Sequence, residues 1–211
     1  MDQTFLLFDL DGTISDPLEG ISRSINYALE AFGYNSQPMS EIAKYVGPPL
    51  DDTFIEITGS TDKSEINNLI EKYRERYSDI GYSENYLYPD VKEAIHTLAD
   101  HDIPLAICTS KRRDFAEKII TKFSMREYFQ FICGGDIGIK KSQQIKLLLS
   151  DKSIDHSAVM IGDRAVDLVA AHRNRLKSVG VLWGYGSQQE LEAESPLYLL
   201  SQPAGLFRLM G

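Results

Sequence analysis

Cysteine is scarce in this chain and long apolar runs are missing. Only two cysteines, Cys108 and Cys133, occur in 211 residues, which excludes a disulfide framework of the kind that staples small secreted domains. Both lie in apolar stretches, Ala106-Ile107-Cys108 and Phe131-Ile132-Cys133, and read as buried free thiols on strands. No stretch approaches the roughly 20 apolar residues of a membrane span, and the N-terminal apolar run is too short for a secretory leader. The expectation is a cytoplasmic protein with no membrane partner. Positive charge is also in deficit: 22 Lys and Arg against 31 Asp and Glu give a net charge of −9. That argues against nucleic acid as a partner, because such binding is dominated by contacts to phosphates. The four histidines, His96, His101, His156 and His172, show no metal-ligand spacing, and none is a catalytic candidate.

What is present begins with Phe5-Leu6-Leu7-Phe8-Asp9-Leu10-Asp11-Gly12-Thr13. A short apolar run reads as a buried strand, here delivering two carboxylates into a Gly-Thr turn. Four later segments repeat the theme: residues 103–108 running into Thr109-Ser110, 128–133 into Gly134-Gly135, 158–161 into Gly162-Asp163, and 178–183 into Gly184. Between them, Val91, Ala94, Ile95 and Leu98 share one helical face, as do Phe115, Ile119 and Phe123, then Ile145, Leu148 and Leu149. Strands alternating with helices predict an α/β fold, a Rossmann-like parallel sheet flanked by helices. Residues 16–86 break this rhythm. Ile21, Ile25, Ala28, Leu29 and Phe32 form one helical stripe, and Ile66, Leu69, Ile70, Tyr73 and Tyr77 another, opened by Asp62 and Glu65 as a capping box. Between them Tyr45 to Leu50 breaks the helix, which resumes over residues 51–57. The organisation expected is a core of residues 1–15 and 87–211, with a helical cap inserted over 16–86.

Chemistry gathers at the strand ends, where an open α/β sheet places its ligands. Asp9 and Asp11 end the first strand and Thr109 and Ser110 the second, while Asp163 and Asp167 stand four apart where a helix begins. Lys140-Lys141 lies between in sequence. A carboxylate nucleophile, a second carboxyl as proton donor, a hard divalent cation, hydroxyl and amide donors and a lysine are the parts that phosphoryl transfer needs.

Asp9 to Thr13 (DLDGT), the apolar strand ending in Thr109, the downstream lysine and Gly162 to Asp167 (GDRAVD) together resemble the four motifs of the haloacid dehalogenase-like superfamily. The helical insert, with YVGPPLDDTF, YLYPDVKEAI, CTSKRR and VLWGYG, is similar to its phosphoglycolate phosphatase and 5′-nucleotidase branch. The resemblance implies Asp9 as nucleophile, forming an aspartyl-phosphate, and Asp11 as acid and base. It implies Mg²⁺ held by the Asp9 carboxylate, the Asp11 backbone carbonyl and Asp163, supported from behind by Asp167. Thr109 and the Ser110 amide would bind phosphate. The lysine is Lys141 or Lys140, since the usual Lys-Pro is here Lys140-Lys141-Ser142, and Lys141 fits the helix face better. Lys111-Arg112-Arg113 departs from the family pattern too, and Arg112 and Arg113 read as surface charges. Substrate choice would fall to the cap, with Arg23 a candidate contact.

The function implied is a Mg²⁺-dependent phosphatase of small phosphorylated metabolites, acting as a monomer or homodimer. A sugar phosphomutase uses the same parts, and a phosphate-sensing or scaffold protein could retain the fold; the presence of both Asp9 and Asp11 weighs against the latter.

Overall fold

Leu6, Leu7 and Phe8 make the first strand, β1 (Leu6–Phe8), buried on both faces. A continuous apolar run suits a strand covered above and below, as parallel sheets require. The computed structural model describes residues 4–135 and 139–210. The chain divides into two units, Met1–Asp16 with Leu87–Gly211, and Pro17–Tyr86. The first segment closes with a second strand, β2 (Ser15–Asp16).

The unit Pro17–Tyr86 is helical. It holds α1 (Leu18–Ala31), the single turn α2 (Met39–Ile42), α3 (Leu50–Thr58) and α4 (Lys63–Asp79). Ile21, Ile25, Ala28 and Leu29 of α1 are buried, as are Ile66, Leu69, Tyr73 and Tyr77 of α4, and the two helices pack together. Phe32, expected on the α1 stripe, falls after the helix as its C-cap and stays largely exposed. The predicted capping box is also not made. Asp62 accepts the Ser64 N–H at 2.9 Å as an N-cap, while Glu65 accepts from the Tyr34 and Ser60 hydroxyls. Those hydroxyl donors take the carboxylate that would otherwise turn back on the cap.

The chain passes between the units within β3 (Tyr86–Leu87), and the other unit continues with α5 (Val91–Asp100), β4 (Leu105–Arg112), α6 (Arg113–Lys122), β5 (Ile132–Gly135), α7 (Lys141–Ser150), β6 (Val159–Gly162), α8 (Ala165–Arg173), β7 (Lys177–Val181), α9 (Gln188–Glu192) and β8 (Tyr198–Leu200). Six strands form one parallel sheet in the order β5-β4-β1-β6-β7-β8. The strand read over residues 128–133 is shorter and later than its apolar run: Arg126–Tyr128 is a 3₁₀ turn, and pairing begins at Ile132. Phe129 instead seats its ring edge against Phe8, 6.3 Å between centroids. The strand read over 178–183 is Lys177–Val181, and the three-residue edge strand β8 adds a sixth.

Side chains alternate across the sheet. Leu7, Ala106, Cys108 and Met160 join Ile145 and Leu148 of α7 and Ala170 and Ala171 of α8 in one buried cluster. Burying each large aliphatic side chain there is worth about 1.5–3 kcal/mol. The order also fixes where a ligand site can form. The chain crosses from β1 to β4 and β5 on one side, then returns to β6, β7 and β8 on the other, so β1 stands at the switch point where the two directions diverge. Among the described residues, no helix is long and apolar enough to cross a membrane.

Candidate active site

Asp9 follows directly on β1, and its N–H donates to the Ile161 carbonyl of β6 at 2.9 Å. Leu10 is fully buried between the two acids, so alternation sends Asp9 and Asp11 away from the core it enters. Its carbonyl accepts from Ile14 and Ser15 N–H at 2.9 and 3.0 Å, closing the turn. Gly12 makes that turn at φ 82°, and a Cβ there would lie 2.1 Å from Asp163 Oδ2. No other residue type offers both the left-handed backbone and the space.

Asp163, at the end of β6, is gripped from two directions. Thr13 Oγ1 faces its Oδ1 at 3.4 Å, and the Tyr185 N–H donates to its Oδ2 at 2.8 Å. Trp183 Nε1–H donates to the Thr13 carbonyl at 2.9 Å, so the loop after β7 clamps the Gly-Thr turn. Trp183 and Tyr185 belong to VLWGYG, whose local signal is only a strand ending in glycines; their role is visible only in three dimensions.

Of the two candidate lysines, it is Lys141 that reaches the carboxylates. It lies buried at the start of α7, its Nζ 2.9 Å from Asp9 Oδ1 and paired with Asp167 Oδ1. The Lys140 side chain is exposed, and its N–H donates to Gln143 Oε1 at 2.8 Å at the helix start. Asp167 spends both oxygens, one on Lys141 and one accepting the Arg164 N–H at 3.2 Å. It is therefore placed to orient Lys141.

Thr109 is buried at the C-terminal part of β4, and its hydroxyl accepts the Lys111 N–H at 3.2 Å. β4 runs on to Arg112, so Thr109 does not cap the following helix. Its carbonyl accepts from Gln144 Nε2 at 3.0 Å, tying α7 to this strand end. Ser110 is exposed beside it. Lys111, to which the sequence assigns no role, is mostly buried with Nζ 2.7 Å from Asp11 Oδ2. Its neighbours do remain outside, Arg112 paired with Asp114 and Arg113 near Glu117. Arg23 belongs to the helical unit, where Glu19 and Glu84 hold its guanidinium at 2.5 and 2.8 Å.

Electrostatics define what this cluster can bind. Burial, reinforced by Asp167 and Asp9, pushes Asp163 up to about 8. Burial likewise raises Asp167 to about 6 against the pull of Lys141. Asp11 is raised by burial, an effect that Lys111 reduces without cancelling. Burial alone would lower Lys141, but Asp167 and Asp9 outweigh it and hold the ammonium above its ordinary value. Oxygen atoms of Asp9, Asp163 and Asp167 lie within 4.8 Å of one another. With all four carboxyls ionised, two ammonium groups leave two negative charges uncompensated, the charge that one bound divalent cation would neutralise. Hard carboxylate oxygens gathered this closely fit such an ion.

A sheet with acids at its switch point, a buried lysine and a strand-end threonine defines a hydrolase-type α/β core. The comparisons with known proteins agree. Residues 6–181 match the haloacid dehalogenase-like hydrolase family. A 5′-nucleotidase of Pseudomonas aeruginosa is 33% identical over 210 residues, covering 97% of this chain and 94% of that protein. A phosphoglycolate phosphatase of Photobacterium profundum is 27% identical over 212 residues, covering 94% and 91%. A crystal structure from Clostridium difficile superposes with a TM-score of 0.91 over the whole of both chains, at 34% identity. The chain belongs to the haloacid dehalogenase-like hydrolases.

Proposed function

We propose that this protein is a Mg²⁺-dependent phosphomonoesterase of small phosphorylated metabolites, working through an aspartyl-phosphate on Asp9. The observation that carries the reading is the buried Asp9–Lys141–Asp167 chain beside Asp163 and Asp11. An Asp9 carboxylate oxygen attacks phosphorus as the bond to the alcohol breaks. Asp11 gives its proton to the departing alkoxide, then takes one from the water that hydrolyses the aspartyl-phosphate. Thr109 donates its hydroxyl, and Ser110 its N–H, to phosphate oxygens. Lys141 neutralises charge on Asp9 and on the transferring group, with Asp167 fixing its position. Mg²⁺, held by the Asp9 and Asp163 carboxylates and the Asp11 carbonyl, supplies further charge neutralisation to the phosphate when bound.

The 5′-nucleotidase and phosphoglycolate phosphatase relatives support nucleoside monophosphates and phosphoglycolate as candidates, and sugar phosphates complete the set we propose. We assign substrate selection to the helical unit as a cap, with Arg23 its candidate contact. Two free thiols suit a reducing compartment, and cytoplasmic operation is part of this reading. The test is release of inorganic phosphate from a metabolite panel in Mg²⁺, against Asp9→Asn. Phosphate release that needs both Mg²⁺ and Asp9 supports the proposal. Equal release by the variant, or isomerised ester with no net phosphate, overturns it; the latter is the outcome a mutase would give.

A further inference from the structure

Each of the two acids at the end of β1 has its own lysine. Asp9 is paired with Lys141, and Asp11 with Lys111, whose Nζ lies 2.7 Å from Asp11 Oδ2. We propose that Lys111 is a positioning residue for Asp11, anchoring one carboxylate oxygen so that the other is presented to the leaving alcohol; the proposal rests on the phosphatase reading above.

Three observations support it. First, the two oxygens of Asp11 are unequal: Oδ2 is held by Lys111, while Oδ1 is buried with no hydrogen-bond partner. A carboxylate free to rotate would present its oxygens interchangeably; an ion pair on one of them removes that freedom. Second, Lys111 is itself fixed. Its N–H donates to Thr109 Oγ1 at 3.2 Å, and its side chain is 8% exposed. Thr109 and Lys111 are two apart on one strand, which sets the phosphate-binding hydroxyl and the anchor of Asp11 in one frame. Third, the ammonium is costly where it is. A steering charge is as effective on the surface, where Arg112 and Arg113 stand with side chains 57% and 69% exposed. A desolvated lysine needs a partner, and Asp11 supplies it.

Proton donation matters only when the leaving group cannot depart as an anion. Two esters of similar shape therefore separate an effect on Asp11 from an effect on fold or phosphate binding. Para-nitrophenyl phosphate leaves as a stable phenolate; para-nitrobenzyl phosphate leaves as an alkoxide that must be protonated. The measurement is kcat/KM on both for the wild type, Lys111→Met, Lys111→Arg and Asp11→Asn, in Mg²⁺, with melting temperatures alongside. Lys111→Met is expected to lose about tenfold or more on the benzyl ester and less than about threefold on the phenyl ester. Asp11→Asn should show the same selectivity, more strongly, and Lys111→Arg should recover most of the benzyl activity. Should Lys111→Met not fold, Lys111→Gln takes its place. Equal losses on the two esters, no loss on either, or no recovery in Lys111→Arg overturns the assignment. A wild type inactive on both esters overturns the phosphatase reading itself, and that is a different result.

Discussion

Lys141 stands between two carboxylates, 2.9 Å from Asp9 Oδ1 and paired on its other side with Asp167, with its side chain 2% exposed. This ammonium faces Asp9 and Asp167 at once, and so links the folding energetics of the site to its chemistry.

Replacing Lys141 with Met keeps the volume and removes the charge. Phosphatase activity should fall by about 10²–10³-fold, the scale of losing one preorganised charge-stabilising group. Stability should fall by about 3 kcal/mol at pH 8, because a broken buried pair leaves carboxylates uncompensated. The loss should shrink toward pH 5, where Asp167, at about 6 even with the lysine present, takes up a proton. Urea denaturation at the two pH values measures both. A cost independent of pH would show that the carboxylates are not the source.

Gly12→Ala tests the packing of the turn against Asp163. A methyl group there meets Asp163 Oδ2 at 2.1 Å on a backbone at φ 82°. The expected cost is about 1–3 kcal/mol of stability, accompanied by loss of activity as Asp163 is displaced. A variant with wild-type melting temperature and kcat/KM would show that the turn relaxes freely.

The raised carboxyls predict how pH and metal interact. Asp163 titrates near 8 in the fold, against an ordinary 3.8, and burial is the main cause. Between those values the folded protein keeps a proton that the unfolded chain releases. The contribution is full below about pH 4 and lost as pH rises through about 8. Metal-free protein should therefore lose stability across this window, and Asp163→Asn should flatten that slope. Millimolar Mg²⁺ should raise the melting temperature more at pH 8 than at pH 5, since the ion binds the ionised site. Identical Mg²⁺ stabilisation at both values would contradict the assignment of Asp163 to the metal.

Within the helical unit, Glu84 joins two helices. It accepts from Arg76 of α4 at 2.8 and 2.9 Å and from Arg23 of α1 at 2.8 Å. Arg76 chiefly holds the Glu84 carboxyl below its ordinary range, so this stabilisation is present above about pH 4.5 and fades in acid. Glu84→Gln should cost about 1 kcal/mol at neutral pH, and less at pH 4. Arg23→Ala removes an exposed cation and should be nearly neutral for stability. A raised KM in that variant would then report on substrate rather than fold.

How much was legible depended on how local each signal is. Asp9, Asp11, Thr109 and Asp163 stand out because each follows a short apolar run, and strand ends are where a parallel sheet exposes polar groups. Lys140 and Lys141 are alike in sequence, since both sit at a helix start; only burial against Asp9 separates them. Lys111 carries no signal of its own in the sequence, because a cation beside Arg112 and Arg113 looks like its neighbours and only the fold turns it toward Asp11. The capping box at Asp62 failed for a similar reason: Tyr34, far away in sequence, competes for Glu65. Strand β8 escaped notice because three residues at a sheet edge carry too little periodicity to register.

The central place of β1 has a consequence for the order in which the protein is made. Leu6 takes its neighbours from Leu105 on one side and Val159 on the other. During synthesis the first strand therefore emerges long before either partner, and its two acids wait without their lysines. The site comes into being only when β6 and α8 have docked. Activity is accordingly a late reporter of folding, and chains cut short before Asp167 should carry Asp9 and Asp11 yet show no phosphatase activity.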